Sequence, residues 1–355
     1  MKQCHFIGLD THGQFCDMAA VDQQGQLVAR GRCATNISAL VNVLEQVPEP
    51  RRLVIEEGPL ADWLWRNLRT RVDGMTVCEP RRNRLIAADG DKDDPIDAEK
   101  LAQLFRGGYV KAVHHTESLT MAIFKQHVLL YQQRVSQRVA EGHRARSLLR
   151  RHGIMVREKD FAPADQRADL LRRLPEDSTL REDVELLWES YDLAVKHEDK
   201  LRRRMIQLAK KEALLQRFVE LPGLGWIRAA TLYVFLDTPW RFLSKAKLWK
   251  YLGIGLERHR SGNGPERLQV PRFCNRVLKS TILGAAKSAI AQGDNPFADQ
   301  HQRWIEAGLS SKLARRNVAR SLAATLWGLW KNGSAYRPEW VGVAAAAIQA
   351  ASVSE

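Results

Sequence analysis

Two hydrophobic rhythms divide this chain. Up to about residue 112, short apolar runs alternate with amphipathic stretches, and beyond that point strand-like alternation gives way to helical spacing. CHFIGLD (4–10) predicts a strand. FCDMAAVD and QLVARGRCA predict two more, separated by the turn at Gln23, Gln24 and Gly25. Asn36 or Ser38 can cap a helix running to about Gln46. RRLVIEE is a fourth strand, followed by a helix carrying Leu60, Trp63, Leu64 and Leu68. MTVCEP is a fifth strand. DPIDAEKLAQLF is a helix with Pro95 in its first turn, where a missing N–H costs nothing. Three strands, then helix, strand, helix, strand, helix is the order of an RNase H-like α/β fold.

From about Glu117 to Phe218 the strand pattern disappears. Val184, Tyr191, Glu198 and Met205 recur every seven residues, with Leu187, Ala194, Leu201 and Leu208 between them, the stripe of a coiled coil. The spacing leaves open whether these helices pair within the chain or between chains. Residues 153 to 180, with Pro163 and Pro175, connect two long helices. A third region begins near 219. LPGLG (221–225) is a tight turn leading into WIRAATLYVFL, and LSKAKLWKYLGI is a helix. The Gly-rich ERHRSGNGPERL predicts a loop or a hairpin. CNRVLKSTILGAAKSAI and KLARRNVARSLAATLWGLW are amphipathic helices. The expected architecture is α/β plus α, in pieces 1–112, 113–218 and 219–335, with a tail at 336–355.

Charge narrows the partners. The 355 residues carry 55 Lys and Arg against 41 Asp and Glu, a net +14. The excess gathers at Arg144 to Arg151, Lys200 to Arg204 and Arg315 to Arg320. Such clusters release counterions from phosphates and point to nucleic acid. The five cysteines are odd in number and lack zinc-knuckle spacing, so neither a disulfide scaffold nor a zinc module is expected. No apolar run reaches the roughly 18 residues a bilayer span needs. With no signal-like segment at the N-terminus, a cytoplasmic protein without a membrane partner is expected.

Four acids stand out by position. Asp10 ends the first strand and Glu56 the fourth, while Asp94 and Asp97 lie three apart at a helix start, hence on one face. In an RNase H-like sheet strands one and four are neighbours and the last helix crosses them, so the four can share a cleft. Carboxylates suit hard cations such as Mg²⁺, and paired ions can assist phosphoryl transfer. Simpler roles exist for each: Asp10 as a turn cap, Asp94 as a helix cap, Asp97 as a partner of the helix dipole. Glu57 competes with Glu56, which is preferred because it shares a face with Val54. Ser261, in HRSGNGPER, is a candidate nucleophile. Gly262 and Gly264 let its backbone approach a phosphate, and Arg258, His259 and Arg260 bring positive charge. The same residues also make a good surface turn. LPGLG is similar to the phosphate-gripping turn of helix–hairpin–helix modules, and equally to a plain linking turn.

Taken together, FIGLD (6–10), VIEEG (54–58), KDDPIDAEKLA (92–102), LPGLGWIRAATL (221–232), LWKYLGI (248–254), RSGNG (260–264) and NRVLKSTILGAA (275–286) carry a resemblance. The chain resembles the DEDD-type transposases of bacterial insertion sequences, the insertion-sequence one-hundred-ten family. The resemblance implies a RuvC-like catalytic domain at 1–112, a helical coiled-coil region, and a C-terminal transposase domain at 219–335. It implies Asp10, Glu56, Asp94 and Asp97 as ligands of Mg²⁺ or Mn²⁺, and Ser261 as a nucleophile that becomes covalently linked to a cut strand. It further implies donor and target DNA, a structured guide RNA encoded by the element, and action as a dimer or tetramer. Where the family usually has a small residue after its glutamate, this chain has Glu57.

Other readings remain open from sequence. A branched-DNA nuclease would use the tetrad without Ser261. GLDTHG is similar to the phosphate hairpin of actin-like ATPases, but the second nucleotide loop of that class is missing. A nucleic-acid-binding protein with a decayed site is a third.

Overall fold

The computed structural model describes residues 3–80, 94–259, 267–271 and 274–341. The chain divides into two compact units, Met1–Ala122 and Ile123–Glu355.

The first unit is built on a mixed sheet. β1 (His5–Thr11), β2 (Phe15–Val21) and β3 (Leu27–Ala34) form an antiparallel meander. β4 (Arg51–Glu56) then joins the other side of β1 in parallel, reached through α1 (Ile37–Glu45). α2 (Ala61–Leu68) leads to β5 (Gly74–Cys78), parallel to β4. α3 (Asp94–Arg106) precedes a short antiparallel β6 (Ala112–Val113). The strand order is β3-β2-β1-β4-β5-β6. As expected, Asn36 caps α1, its side chain accepting from the Ala39 N–H at 2.9 Å. β6 was not anticipated, since two residues carry no periodic signal.

Side-chain alternation sorts the sheet into two faces. Ile7, Leu9, Leu53 and Ile55 point to one side, where they pack with Leu40 and Leu44 of α1 and Leu64 and Leu68 of α2. Phe6, Gly8 and Asp10 lie on the other side, with Arg52, Val54 and Glu56 beside them. α3 covers this second face. Val54 packs with Leu101 there, and Phe6 meets Phe105 edge-on at 5.8 Å. Between these contacts α3 lies directly on Gly8. A Cβ at Gly8 would stand 2.1 Å from the Ala98 carbonyl oxygen and 2.7 Å from the Ala102 nitrogen.

α4 (Leu119–Arg151) carries the chain into the second unit, whose regular elements among the described residues are helices apart from one hairpin. α4 and α6 (Ser178–Lys210) are 33 residues each, joined by a segment containing α5 (Arg167–Arg172). They run antiparallel within the chain. Arg138 Nε donates to Glu198 Oε2 at 2.6 Å, and His127 reaches the Leu201 carbonyl at 3.1 Å. The joining segment folds back on this end: Phe161, Leu170 and Leu174 pack with Leu149, Val184, Trp188 and Tyr191. Beyond lie α7 (Ala213–Phe218), α8 (Trp226–Leu236), α9 (Lys245–Tyr251), the strands β7 (Glu257–His259) and β8 (Arg267–Gln269), and α10 (Arg276–Gln292), α11 (Pro296–Glu306) and α12 (Ser311–Asn332).

LPGLG is a turn, as its composition predicts. Gly223 has φ +81°, and a Cβ there would meet the Ala285 carbonyl oxygen of α10 at 2.1 Å. Among the described residues no helix is long and apolar enough to cross a membrane.

Candidate active site

Three of the five sequence-predicted residues fall on the α3 side of the sheet. Asp10 lies near the end of β1, two residues beyond Gly8 on the same face. Leu9 pairs with Ile55 in the parallel β1–β4 register, so Glu56 is its neighbour one step on. Glu56 is half-buried, and its register partner on the next strand is Cys78. Glu57 is exposed, and its backbone N–H donates to the Cys78 carbonyl at 2.8 Å. Alternation from Val54, which packs under α3, therefore puts Glu56 on the helix side.

Asp97 sits in the first turns of α3, half-buried, just before Ala98 contacts Gly8. Its proximity is felt electrostatically. Burial pushes the Asp10 carboxyl above its ordinary range, His12 and the Thr11 backbone N–H oppose this, and Asp97 adds to the rise. Asp94 is the first residue of α3, but its side chain lies outside the described residues. Among the described residues no group of three or more His, Cys, Asp or Glu side chains is close enough to hold a metal ion.

Two neighbours were not singled out in the sequence. His12 Nε2 stands 3.0 Å from Asp10 Oδ2, and its ring lies 4.8 Å from that of Phe15. The signal was the i, i+2 spacing, which puts both residues on one side of an extended chain. Asp17 faces Asp10 across the β1–β2 ladder and is 3% exposed. Arg32 holds it with two donors, at 2.9 and 3.0 Å, so its charge is neutralised inside the sheet face.

The chemistry of the donors suits a divalent cation. Asp10, Glu56 and Asp97 offer only hard oxygen atoms on the α3 side of the sheet, although these three by themselves do not close into a metal-holding group. Asp97 already adds to what disfavours the ionised form of Asp10, and a cation would relieve that repulsion.

Ser261 lies outside the described residues, as do Arg260, Gly262 and Gly264. What flanks it is a hairpin. β7 and β8 are antiparallel, with Glu257 opposite Gln269 and His259 opposite Arg267. The Gly-rich stretch thus joins two paired strands, the second of the two forms expected from its composition.

The LPGLG turn presents a second polar feature. Arg228 Nη1 donates to the Gly223 carbonyl at 2.7 Å and lies 2.9 Å from Ser288 Oγ. Burial pushes its guanidinium below the ordinary range.

Comparison with known proteins assigns the class. A model described as a transposase, of the DEDD type, matches residues 7–154, and a second, described as the IS116/IS110/IS902 transposase family, matches residues 215–302. Together they cover about two thirds of the sequence, and the chain belongs to this family of insertion-sequence transposases. It is 23% identical over 133 residues to the transposase for insertion sequence element IS1111A of Coxiella burnetii. It is 27% identical over 141 residues to the putative transposase y4pF/y4sB of Sinorhizobium fredii. The first match covers 37% of this chain, the second 39%, and each spans 36% of the relative.

Proposed function

We propose that this chain is a DNA transposase that cuts and rejoins strands by metal-assisted phosphoryl transfer, with Asp10, Glu56, Asp94 and Asp97 as the ligands of Mg²⁺ or Mn²⁺ and Ser261 as the nucleophile. The observation that carries the reading is the closeness of Asp10 and Asp97, acids 87 positions apart in sequence whose charges oppose each other on the α3 face. The sheet order supports an RNase H-like domain. The paired 33-residue helices support the coiled-coil element of the family, and the family membership supports DNA as substrate.

In this scheme the four carboxylates hold the divalent cation, which supplies charge neutralisation at a phosphate when bound. His12 positions Asp10 by its contact with Oδ2. Asp17, tied to Arg32, stays out of the ligand set. The hydroxyl of Ser261 attacks phosphorus and is left esterified to one strand end, while the departing oxygen takes up a proton. Rejoining reverses these bonds. A structured RNA from the element pairs donor with target, and two or four copies assemble around the ends.

The test is strand cutting on element ends with Mg²⁺. Asp97→Asn and Asp10→Asn should abolish cutting with the unfolding transition unmoved, and ordinary activity in either variant overturns the metal site. A trapped reaction should leave DNA on Ser261. An adduct mapped to another residue, or full-rate cutting by Ser261→Ala, removes the serine from the scheme and leaves a nuclease that uses the carboxylates alone.

A further inference from the structure

The second unit contains a cavity of about 430 Å³ between α9, α11, α12 and the segment that follows α12. Its walls are aromatic: Trp249, Trp304, Tyr336 and Trp340. Its described lining carries three cations, Lys245, Arg320 and Arg337, and no carboxylate. Small residues of α12, among them Ala324 and Gly328, leave room at one wall. Two polar atoms bordering this space are buried without hydrogen-bond partners, Gln300 Oε1 and the Tyr336 hydroxyl. Gln300 is only 6% exposed.

An empty apolar cavity would not need these groups. A buried amide oxygen and a buried phenol left unsatisfied carry a desolvation cost that a ligand with matching donors and acceptors removes. The cations require that the ligand also be anionic. Arg320 is held by the Ile254 carbonyl at 2.8 Å and by Asn317 Oδ1 at 3.0 Å, and among the described residues no carboxylate pairs with it. Burial and the neighbouring Arg316 disfavour its charge, and a phosphate would offset both. Arg337 lies over the Trp340 ring at 4.7 Å, a flat cationic and aromatic platform at the exposed side.

We infer that this pocket receives one unstacked base of a single-stranded nucleic acid, stacked against the tryptophans, with its edge toward Gln300 and Tyr336 and its flanking phosphates on Arg320, Arg337 and Lys245. Flat faces, a polar edge and an adjoining negative charge occur together in a nucleotide unit, and aromatic pockets with basic rims hold single strands in this way. The site goes beyond the acidic centre of the first unit, and it rests on nucleic acid being the partner.

The test measures binding of the full chain to short single strands, DNA and RNA of one sequence, in EDTA so that no cutting intervenes. A 2-aminopurine in the strand should change fluorescence on binding. An abasic strand should bind about tenfold more weakly than the intact one, the scale of one lost base–aromatic stack. A Cβ at Gly328 meets nothing within 4 Å, so Gly328→Leu should fill the cavity without disturbing the helix. It should bring the intact strand down to the abasic level and leave duplex binding unchanged. Preference for one sugar type identifies whether the base belongs to RNA or DNA. Equal binding of intact and abasic strands by the unmodified protein overturns the inference, as does a Gly328→Leu protein that still distinguishes them. Neither result bears on strand cutting, so the carboxylate reading stands or falls separately.

Discussion

Gly8 sets how closely α3 can lie on β1, and therefore how near Asp97 comes to Asp10. Any side chain there meets helix backbone, which cannot rotate away as a flexible side chain can. Gly8→Ala should destabilise the first unit by about 2 kcal/mol, the range of core overpacking, and should reduce cutting more than stability alone explains. Gly58→Ala is the control, because a Cβ there meets nothing within 4 Å. Equal unfolding midpoints in denaturant for the two variants would show that α3 shifts freely and that the glycine is incidental. Asp10 was legible in the sequence because an acid closing an apolar strand breaks the local pattern, and Glu56 was legible for the same reason. The part played by Gly8 was not. It depends on Ala98 and Ala102, whose place over the strand is settled by tertiary packing and leaves no trace in the spacing around FIGLD. His12 and Asp17 were hidden for a related reason: one needs the turn after β1 and the other the β1–β2 register before its neighbour is known.

At the scale of elements, the seven-residue stripe of α6 was readable, with a drift that has a physical cause. Val184, Tyr191, Ala194 and Met205 are buried as the stripe predicts. At two intervening positions burial passes from Leu187 to Trp188 and from Leu208 to Ala209, as a 3.6-residue helix slides past a 3.5-residue repeat. The polar member, Glu198, looks like a flaw in the stripe until Arg138 of α4 is placed opposite. Arg138 bridges Glu198 and Glu158, and the Tyr191 hydroxyl donates to Glu158 at 2.8 Å. Arg138→Leu leaves two half-buried carboxylates short of a partner and should cost about 2 kcal/mol. Adding Glu198→Leu should recover part of that loss in a double-mutant cycle. Urea unfolding reads both values, and an unchanged midpoint in the single variant would mean the pairing contributes nothing. The joining segment at 153–180 between two long helices was also visible in the sequence. The partner of α6 was not, because a stripe specifies an apolar seam without saying which helix fills it.

At the scale of the whole molecule, the net charge conceals a division. Residues 1–122 hold 15 Lys and Arg against 17 Asp and Glu, whereas residues 123–355 hold 40 against 24. The excess that points to nucleic acid therefore belongs to the helical unit, and the unit with the candidate metal ligands is slightly acidic. Affinity and chemistry should then respond to different reagents. Without divalent metal the chain should still bind duplex DNA, with log K falling linearly against log salt and each phosphate contact adding about 0.9 to the slope. Arg204 is exposed on α6, within one of the basic clusters, and Arg204→Gln should lower that slope by about 1 while leaving metal-dependent cutting intact at low salt. Chelation should do the reverse, stopping cutting with binding preserved. Filter binding across a salt series, beside a cutting assay with and without EDTA, separates the two. If chelation abolished binding as well, the cation would be joining the DNA to the protein as well as serving the chemistry. The basic helical unit would then lose its claim to be the source of affinity.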